Sequence, residues 1–329
     1  MIDAGRLVAL GRTELAVTSL GLGCAPLGGL YEAVPAKQAR AVLERAWGLG
    51  LRFFDTAPLY GSGLSERRLG EFLQTRPRTE FVVSTKVGRL LRPDGAPDRA
   101  FPGNYALLPV FDFSYDGALR SLEQSLERLG LDRIDIVHIH DPDDFFDQAA
   151  TGAYRALERL RDENVVGAIG VGMDQTRLLT RFARETDIDC VLLAGRYTLL
   201  DAGALEELLP VCLDRGVAVI AAGVLNSGIL GTGGSPPMFD YAPAPEAIRE
   251  RVGRFQRVCA RWGVPVTAPA LQFPFGHPAI DCELVGCRSI GELDENLGLL
   301  ELELPAGLWS ELIAEELIRG DVPIPHGVS

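Results

Sequence analysis

The sequence predicts one parallel (β/α)8 barrel, the TIM-barrel class, and three observations carry that expectation. Short apolar runs alternate with longer amphipathic ones, and the alternation occurs eight times. No Ser/Gly- or Pro-rich linker, low-complexity tract or strong fixed-period repeat divides the chain. Barrels of this class use about 250 residues or more as a single unit, so the 329 residues read as one domain, 1–329.

Taken in order, Leu7–Leu10 and Leu15–Val17 flank Gly11 and predict a small N-terminal hairpin across the barrel bottom. The strand-like runs are Ser19–Cys24, Leu51–Asp55, Phe81–Lys86, Ile134–His140, Val165–Val171, Ile188–Ala194, Val217–Ala222 and Cys282–Gly286. They are nearly continuous in apolar residues, as strands covered on their outer face by helices must be. Helix-like segments lie between them: Ala36–Gly48, Glu66–Leu73, Tyr115–Leu129, Tyr154–Glu163, Gln175–Glu185, Ala204–Arg215 and Glu246–Trp262. Ile290–Leu300 follows the last strand, and Leu308–Ile318 is the expected closing helix. The remaining stretches, 25–31, 88–110 and 236–245, are the expected variable loops.

Composition narrows the function classes. A net charge of −13 disfavours a nucleic-acid partner, which needs clustered cations against phosphate. The cysteines, Cys24, Cys190, Cys212, Cys259, Cys282 and Cys287, form no Cys-x-x-Cys and no zinc-finger spacing, which points to reduced thiols in a reducing compartment and no metal. The N-terminus lacks the apolar stretch of a signal peptide, and no apolar run reaches the roughly 18–20 residues of a membrane span. The expectation is a cytoplasmic protein. Of the 32 basic residues only Lys37 and Lys86 are lysines. A lysine kept where arginine is the default suits a task a guanidinium cannot perform, because only an amine has a tunable pKa.

Active sites of parallel barrels lie at the C-terminal strand ends. There the chain places Asp55, Lys86 and His140, with Tyr60 five residues beyond Asp55. Tyrosine ionises near about 10, and an ammonium beside it would favour the phenolate. Lys86 is expected to lower Tyr60 in this way, with Asp55 holding the lysine and His140 orienting a substrate carbonyl. Tyr60 would then exchange the proton while hydride crosses to or from a cofactor. Plainer roles exist for each residue alone: a helix cap for Asp55, packing for Tyr60, a solvated end for Lys86. His138 shares the parity of His140 and, lying deeper, is expected to be a core histidine. Gly21-Leu-Gly-Cys-Ala-Pro26 is not the glycine fingerprint of a Rossmann fold, so a nicotinamide would bind in another way.

These residues resemble the aldo-keto reductase family. Phe54-Asp55-Thr56-Ala57-Pro58-Leu59-Tyr60-Gly61, followed by Ser65-Glu66 and Leu69-Gly70, is similar to its aspartate–tyrosine motif. Ser84-Thr85-Lys86 resembles its lysine strand and Asp135–Pro142 its histidine strand. Gly286–Asn296 is similar to the segment that grips the adenosine end of the cofactor. Asp112–Gly117 and Val224–Leu230 resemble the branch containing aldose 1-dehydrogenases, acting on sugars such as L-fucose or D-threo-aldoses, and pyridoxal 4-dehydrogenase.

The resemblance implies an NAD(P)-dependent oxidoreductase acting on a small sugar or aldehyde, with the cofactor extended across the barrel mouth. Gly223, Val224, Leu225, Asn226, Ser227 and Gly228 would line the pyrophosphate. Gly172 and Met173 stand where many relatives place a Ser-Asn pair on the carboxamide, Ala194 where a glutamine is usual, and Ala222 near a common aromatic. Gly286, Arg288, Glu292, Glu295 and Asn296 would meet the adenosine end. Glu292 would repel a 2′-phosphate and accept from a ribose hydroxyl, while Arg288 is a counterweight, so NAD is expected over NADP, with a bias toward oxidation. Tyr31 and Tyr105, with Phe101 and Phe239, are the expected substrate-pocket residues. Three rivals stand beside an aldose dehydrogenase. One is a pyridoxal dehydrogenase or general aldehyde reductase. Another is a Schiff-base aldolase or isomerase using Lys86, disfavoured because Asp55 would keep the amine charged. The last is a non-catalytic nucleotide-sensing subunit.

Overall fold

A computed structural model of the chain describes residues 2–231 and 237–325. Pro236, at the edge of one expected loop, and His326 lie outside them. The strands are β1 (Leu7–Ala9), β2 (Ala16–Thr18), β3 (Leu20–Gly23), β4 (Phe53–Asp55), β5 (Val82–Val87), β6 (Arg89–Arg92), β7 (Leu108–Phe111), β8 (Ile136–His140), β9 (Ala168–Met173), β10 (Cys190–Ala194), β11 (Ala218–Ala222), β12 (Met238–Phe239), β13 (Ala242–Pro243) and β14 (Ile280–Gly286). The helices are α1 (Ala36–Gly48), α2 (Leu64–Leu73), α3 (Tyr115–Leu129), α4 (Phe146–Gln148), α5 (Tyr154–Asp162), α6 (Thr176–Glu185), α7 (Leu208–Arg215), α8 (Glu246–Arg261), α9 (Thr267–Gln272), α10 (Ile290–Leu300) and α11 (Ala306–Ala314).

Eight strands close a parallel barrel in the order β3, β4, β5, β8, β9, β10, β11, β14, with β14 pairing back onto β3. The expected eight-stranded barrel is therefore present. Strands β1 and β2 form the expected antiparallel hairpin; the buried Leu10 and Val17 beside it join Phe53, Ile136, Ala168, Ile220 and Cys282 in the barrel interior. That cluster closes the bottom of the barrel with apolar side chains and leaves polar ones to the mouth.

The chain differs from expectation where local patterning is weak. The stretch 88–110 holds an antiparallel hairpin, β6 on β7, and a second small hairpin joins β12 to β13. The expected helix Ala204–Arg215 is a 3-10 turn over Gly203–Leu205 followed by α7. Helix α9 was not anticipated because Pro269 lies inside Thr-Ala-Pro-Ala-Leu-Gln. The closing helix ends at Ala314 rather than Ile318, and its Leu308, Trp309 and Leu312 are buried.

Register explains how polar side chains enter the wall. His138 pairs across to Lys86 on one side and Gly170 on the other. A methyl group on Gly170 would stand 2.3 Å from the Cys190 carbonyl and 2.9 Å from His138 Nδ1, so only glycine accommodates that imidazole. His138 is fully buried, and neither ring nitrogen has a partner among the described residues. Burial, aided by the Lys86 charge, pushes it down to about 3, so it is a neutral core histidine at ordinary pH, as its depth predicted.

Two tests follow from this layer. Gly170→Ala lowers stability by about 1–3 kcal/mol, the usual penalty for overpacking, read as a fall in Tm. His138 binds no proton in the native state down to about pH 3, whereas the unfolded chain takes one up from about 6.5. Native stability therefore falls as pH drops through that window. His138→Leu removes one proton from the linkage, flattening the pH slope of unfolding free energy by about 1.4 kcal/mol per pH unit.

Candidate active site

Three polar strand ends meet at the mouth. Lys86 Nζ donates to Asp55 Oδ2 at 2.6 Å, to the Thr56 carbonyl at 3.0 Å and to Tyr60 Oη at 3.0 Å. Ser84 Oγ donates to the other Asp55 oxygen at 2.7 Å. Both charged side chains are buried, 1 % and 4 % exposed, so the ammonium is spent on three acceptors and the carboxylate on two donors. A buried pair is tolerated only when its remaining hydrogen bonds are made in this way. The arrangement also answers the Schiff-base rival, since an ammonium held by a carboxylate is a poor nucleophile.

The loop carrying Tyr60 is set by a close backbone approach. Gly61 has φ +62°, and a methyl group there would lie 2.2 Å from the Gly28 carbonyl. Only glycine fits both the turn and the contact. Ser65 Oγ hydrogen-bonds the Cys24 carbonyl at 2.8 Å and Thr56 Oγ1 at 2.9 Å, tying the same loop to the end of β3. Behind it, Glu66 accepts from Thr85 at 2.8 Å and from Arg128 at 2.5 Å, locking α2 to β5 and α3.

The Tyr60 ring packs edge-on to His140, with centroids 5.9 Å apart, and stacks on Phe101 at 5.5 Å. The expected depression of the Tyr60 phenol is corrected here. Burial first, then the Asp55 carboxylate, pushes it well above its ordinary value. The physical reason is the ion pair itself: Asp55 offsets the Lys86 charge, and desolvation of the phenolate prevails. Tyr60 is thus a phenol at neutral pH, with an ammonium in hydrogen-bond contact. Burial and the charges of Arg89 and Lys86 hold His140 well below the usual imidazole value. His140 is therefore neutral, and its Nδ1 is buried without a partner among the described residues. Nε2 faces the mouth, 3.5 Å from Asp141 Oδ2. That carboxylate favours the tautomer with its proton on Nε2, the form that donates to a substrate oxygen.

The expected cofactor residues line the far side of this mouth. Gly223, Asn226, Ser227 and Gly228 all have left-handed backbone, so the loop after β11 turns tightly at the strand end. Asn226 is buried; its amide donates to the Gly195 carbonyl at 3.3 Å while Oδ1 lacks a partner among the described residues. Val224 and Leu225 pack in the apolar core, as does Met173, whose strand parity sends its side chain outward. Their side chains are taken up by that packing, which leaves only their backbone toward the mouth. Gly172, Ala194 and Ala222 at neighbouring strand ends leave a shelf of small residues. Arg288 donates to Glu292 through Nε at 2.9 Å and Nη2 at 2.6 Å, and to Glu32 at 2.7 Å. Asn296 is buried, its amide 3.5 Å from Cys287 Sγ, and Glu295 and Gly286 are exposed. An orphaned buried amide oxygen, a glycine-rich turn and a flat shelf beside Tyr60 fit an extended dinucleotide.

Among the expected pocket residues, Tyr31 meets Tyr241 with ring centroids 6.3 Å apart, and Tyr105 lies against Gly29 and Gly103. Phe239 packs on the core instead. The mouth position falls to Tyr241, at the tip of the β12–β13 hairpin, which Arg196 pins through Asp240 at 2.9 and 3.0 Å. Sequence reasoning missed Tyr241, Arg89 and Asp141. Only Asp141, an acid directly after His140, carried a local signal.

No helix among the described residues is long and apolar enough to cross a membrane, and all six cysteines are buried and free. The aldo/keto reductase family model matches residues 19–314. The chain is 44 % identical to a D-threo-aldose 1-dehydrogenase of a Pseudomonas species, over 92 % of this chain and 95 % of that one. It is 41 % identical to a pyridoxal 4-dehydrogenase of Microbacterium luteolum, over 96 % and 99 %. Its fold matches the holo form of aldo-keto reductase AKR11C1 from Bacillus halodurans, with a TM-score of 0.76 at 23 % identity over 96 % and 97 % of the two chains. The chain belongs to the aldo/keto reductase family and is a nicotinamide-dependent oxidoreductase of carbonyl and alcohol substrates.

Proposed function

We propose that this enzyme oxidises an aldose at C1 with NAD as the preferred cofactor, and that Asp55, Tyr60, Lys86 and His140 are its catalytic group. The observation that carries the reading is the Asp55–Lys86–Tyr60 chain of contacts of 2.6 and 3.0 Å beside a neutral His140. Two extensively matching relatives are a D-threo-aldose 1-dehydrogenase and a pyridoxal 4-dehydrogenase. Both names describe dehydrogenation of a small molecule at a numbered carbon. The polar mouth suits the sugar better than an apolar aldehyde. We read the chain as one domain, and its free thiols suit the cytoplasm.

When bound, the nicotinamide supplies the hydride acceptor or, in reverse, the donor. His140 donates from Nε2 to the substrate oxygen and fixes its direction. In oxidation the phenolate form of Tyr60 takes the O1 proton as the C1–H bond breaks; in reduction the phenol returns that proton. Lys86 holds the phenolic oxygen in place and lowers the cost of its charged form.

The cofactor preference rests on charge. Arg288 is bound by two carboxylates, Glu292 and Glu32, so its counterweight to a 2′-phosphate is cancelled and the cluster carries a net negative charge. A phosphate there meets repulsion that a ribose diol does not.

Tyr60→Phe abolishes aldose-dependent NAD reduction, followed by absorbance, while leaving the melting transition in place. No turnover by the native enzyme with any aldose, pyridoxal or aldehyde, despite tight cofactor binding, would instead favour a sensing role. Because Tyr60 lies above its ordinary value, oxidation quickens as pH rises into the alkaline range, whereas reduction slows there. A pH-independent oxidation rate would remove Tyr60 as the base. Glu292→Gln raises the NADP-to-NAD ratio of kcat/KM by about tenfold, the scale of one exposed charge contact.

A further inference from the structure

Asp141 breaks the alternation of its strand. His140 faces the barrel interior, so an extended next residue would point outward. Asp141 instead has φ +46°, a left-handed conformation rare for a residue with a Cβ. That turn brings its carboxylate back over the mouth, with Oδ2 3.5 Å from His140 Nε2. Tyr60 and Tyr241 both feel its charge. Arg89 donates to the same oxygen through Nη2 at 2.8 Å. The guanidinium lies 4.4 Å from the centre of the Phe111 ring and is 12 % exposed. Its Nε is buried without a partner among the described residues, while the Asp141 side chain stays 34 % exposed with Oδ2 on Arg89. A part-exposed carboxylate, held from behind by a buried guanidinium, thus stands 3.5 Å from His140 Nε2.

We propose that Asp141, held by Arg89, recognises the hydroxyl on the carbon next to the reacting carbon of an aldose. The assignment rests on the aldose reading above and extends it to a named subsite. Vicinal oxygens of a pyranose are separated by about one hydrogen-bond length. With O1 on His140 Nε2, the neighbouring hydroxyl therefore reaches the carboxylate. The acceptor is available at neutral pH: burial raises the Asp141 carboxyl only to about 6, with Arg89 opposing the rise. Strain at φ +46° persists because the surroundings hold it, and a side chain aimed at substrate is a reason to keep it. An apolar aldehyde leaves the pair with no hydroxyl to bind, which disfavours it relative to a sugar.

The test compares D-arabinose with 2-deoxy-D-ribose, the same pentose lacking only the 2-hydroxyl. The native enzyme is expected to favour D-arabinose by about ten- to hundredfold in kcat/KM, the scale of a hydrogen bond to a charged group. In Asp141→Asn and Asp141→Ala that preference collapses to about twofold or less, with most of the change in KM. A purely structural aspartate would lower both pentoses equally and leave the ratio intact, which overturns the subsite. Equal use of both pentoses by the native enzyme overturns it without any variant. Turnover of no aldose by the native enzyme, these pentoses included, refutes the aldose reading and the subsite together, so the two failures are told apart.

Discussion

A positive and a negative charge sealed into the wall of the barrel constrain everything around them. Lys86 and Asp55 are almost fully buried and 2.6 Å apart, a placement whose desolvation cost is offset only if every remaining donor and acceptor is occupied. The Thr56 carbonyl, the Ser84 hydroxyl and the Tyr60 phenol do this. The pair thereby decides where Tyr60 sits, while burial, with the Asp55 carboxylate adding to it, keeps Tyr60 protonated. The two histidines on the facing strand are kept neutral by the same burial and by the same lysine.

Such a polar layer needs room, and the strands next to it yield it. Gly170 makes space for His138, while Gly172, Ala194 and Ala222 leave the strand ends low. One half of the mouth is therefore crowded with polar side chains, and the other is lined by small ones. The polar side chains gather at the loops after β4, β5 and β8, and small residues end β9 to β11. The arginines so abundant in the sequence act as clamps on the loops. Arg68 holds the loop after β3 through the Leu27 and Val34 carbonyls, Arg196 pins the β12–β13 hairpin, and Arg89 carries Asp141.

Much of this was legible in the chain. Nearly continuous Val, Ile and Leu runs identified the barrel strands because a parallel strand is buried on both faces. The hairpin around Gly11 and the depth of His138 followed from equally local patterns. Elements with mixed or short patterns escaped: the hairpin of β6 and β7, helix α9 with its internal proline, and the two-residue turn that carries Tyr241. Phe239 looked like a pocket residue by type, yet it packs inward, because alternation in a two-residue strand is too brief to read.

The sequence by itself determined the barrel and the three polar strand ends with Tyr60 in the loop beyond the first, since spacing brings those side chains to one rim, and its motifs carried the resemblance to the family. Only the tertiary structure decided their electrostatic states and the company they keep. The direction of the Tyr60 shift depends first on how deeply the folded wall buries the phenol and then on the nearby Asp55 carboxylate. The return of Asp141 to the mouth depends on a backbone angle that its residue type does not dictate. Local patterns specify which face a side chain starts from; charge and burial act through neighbours that meet only when the barrel closes.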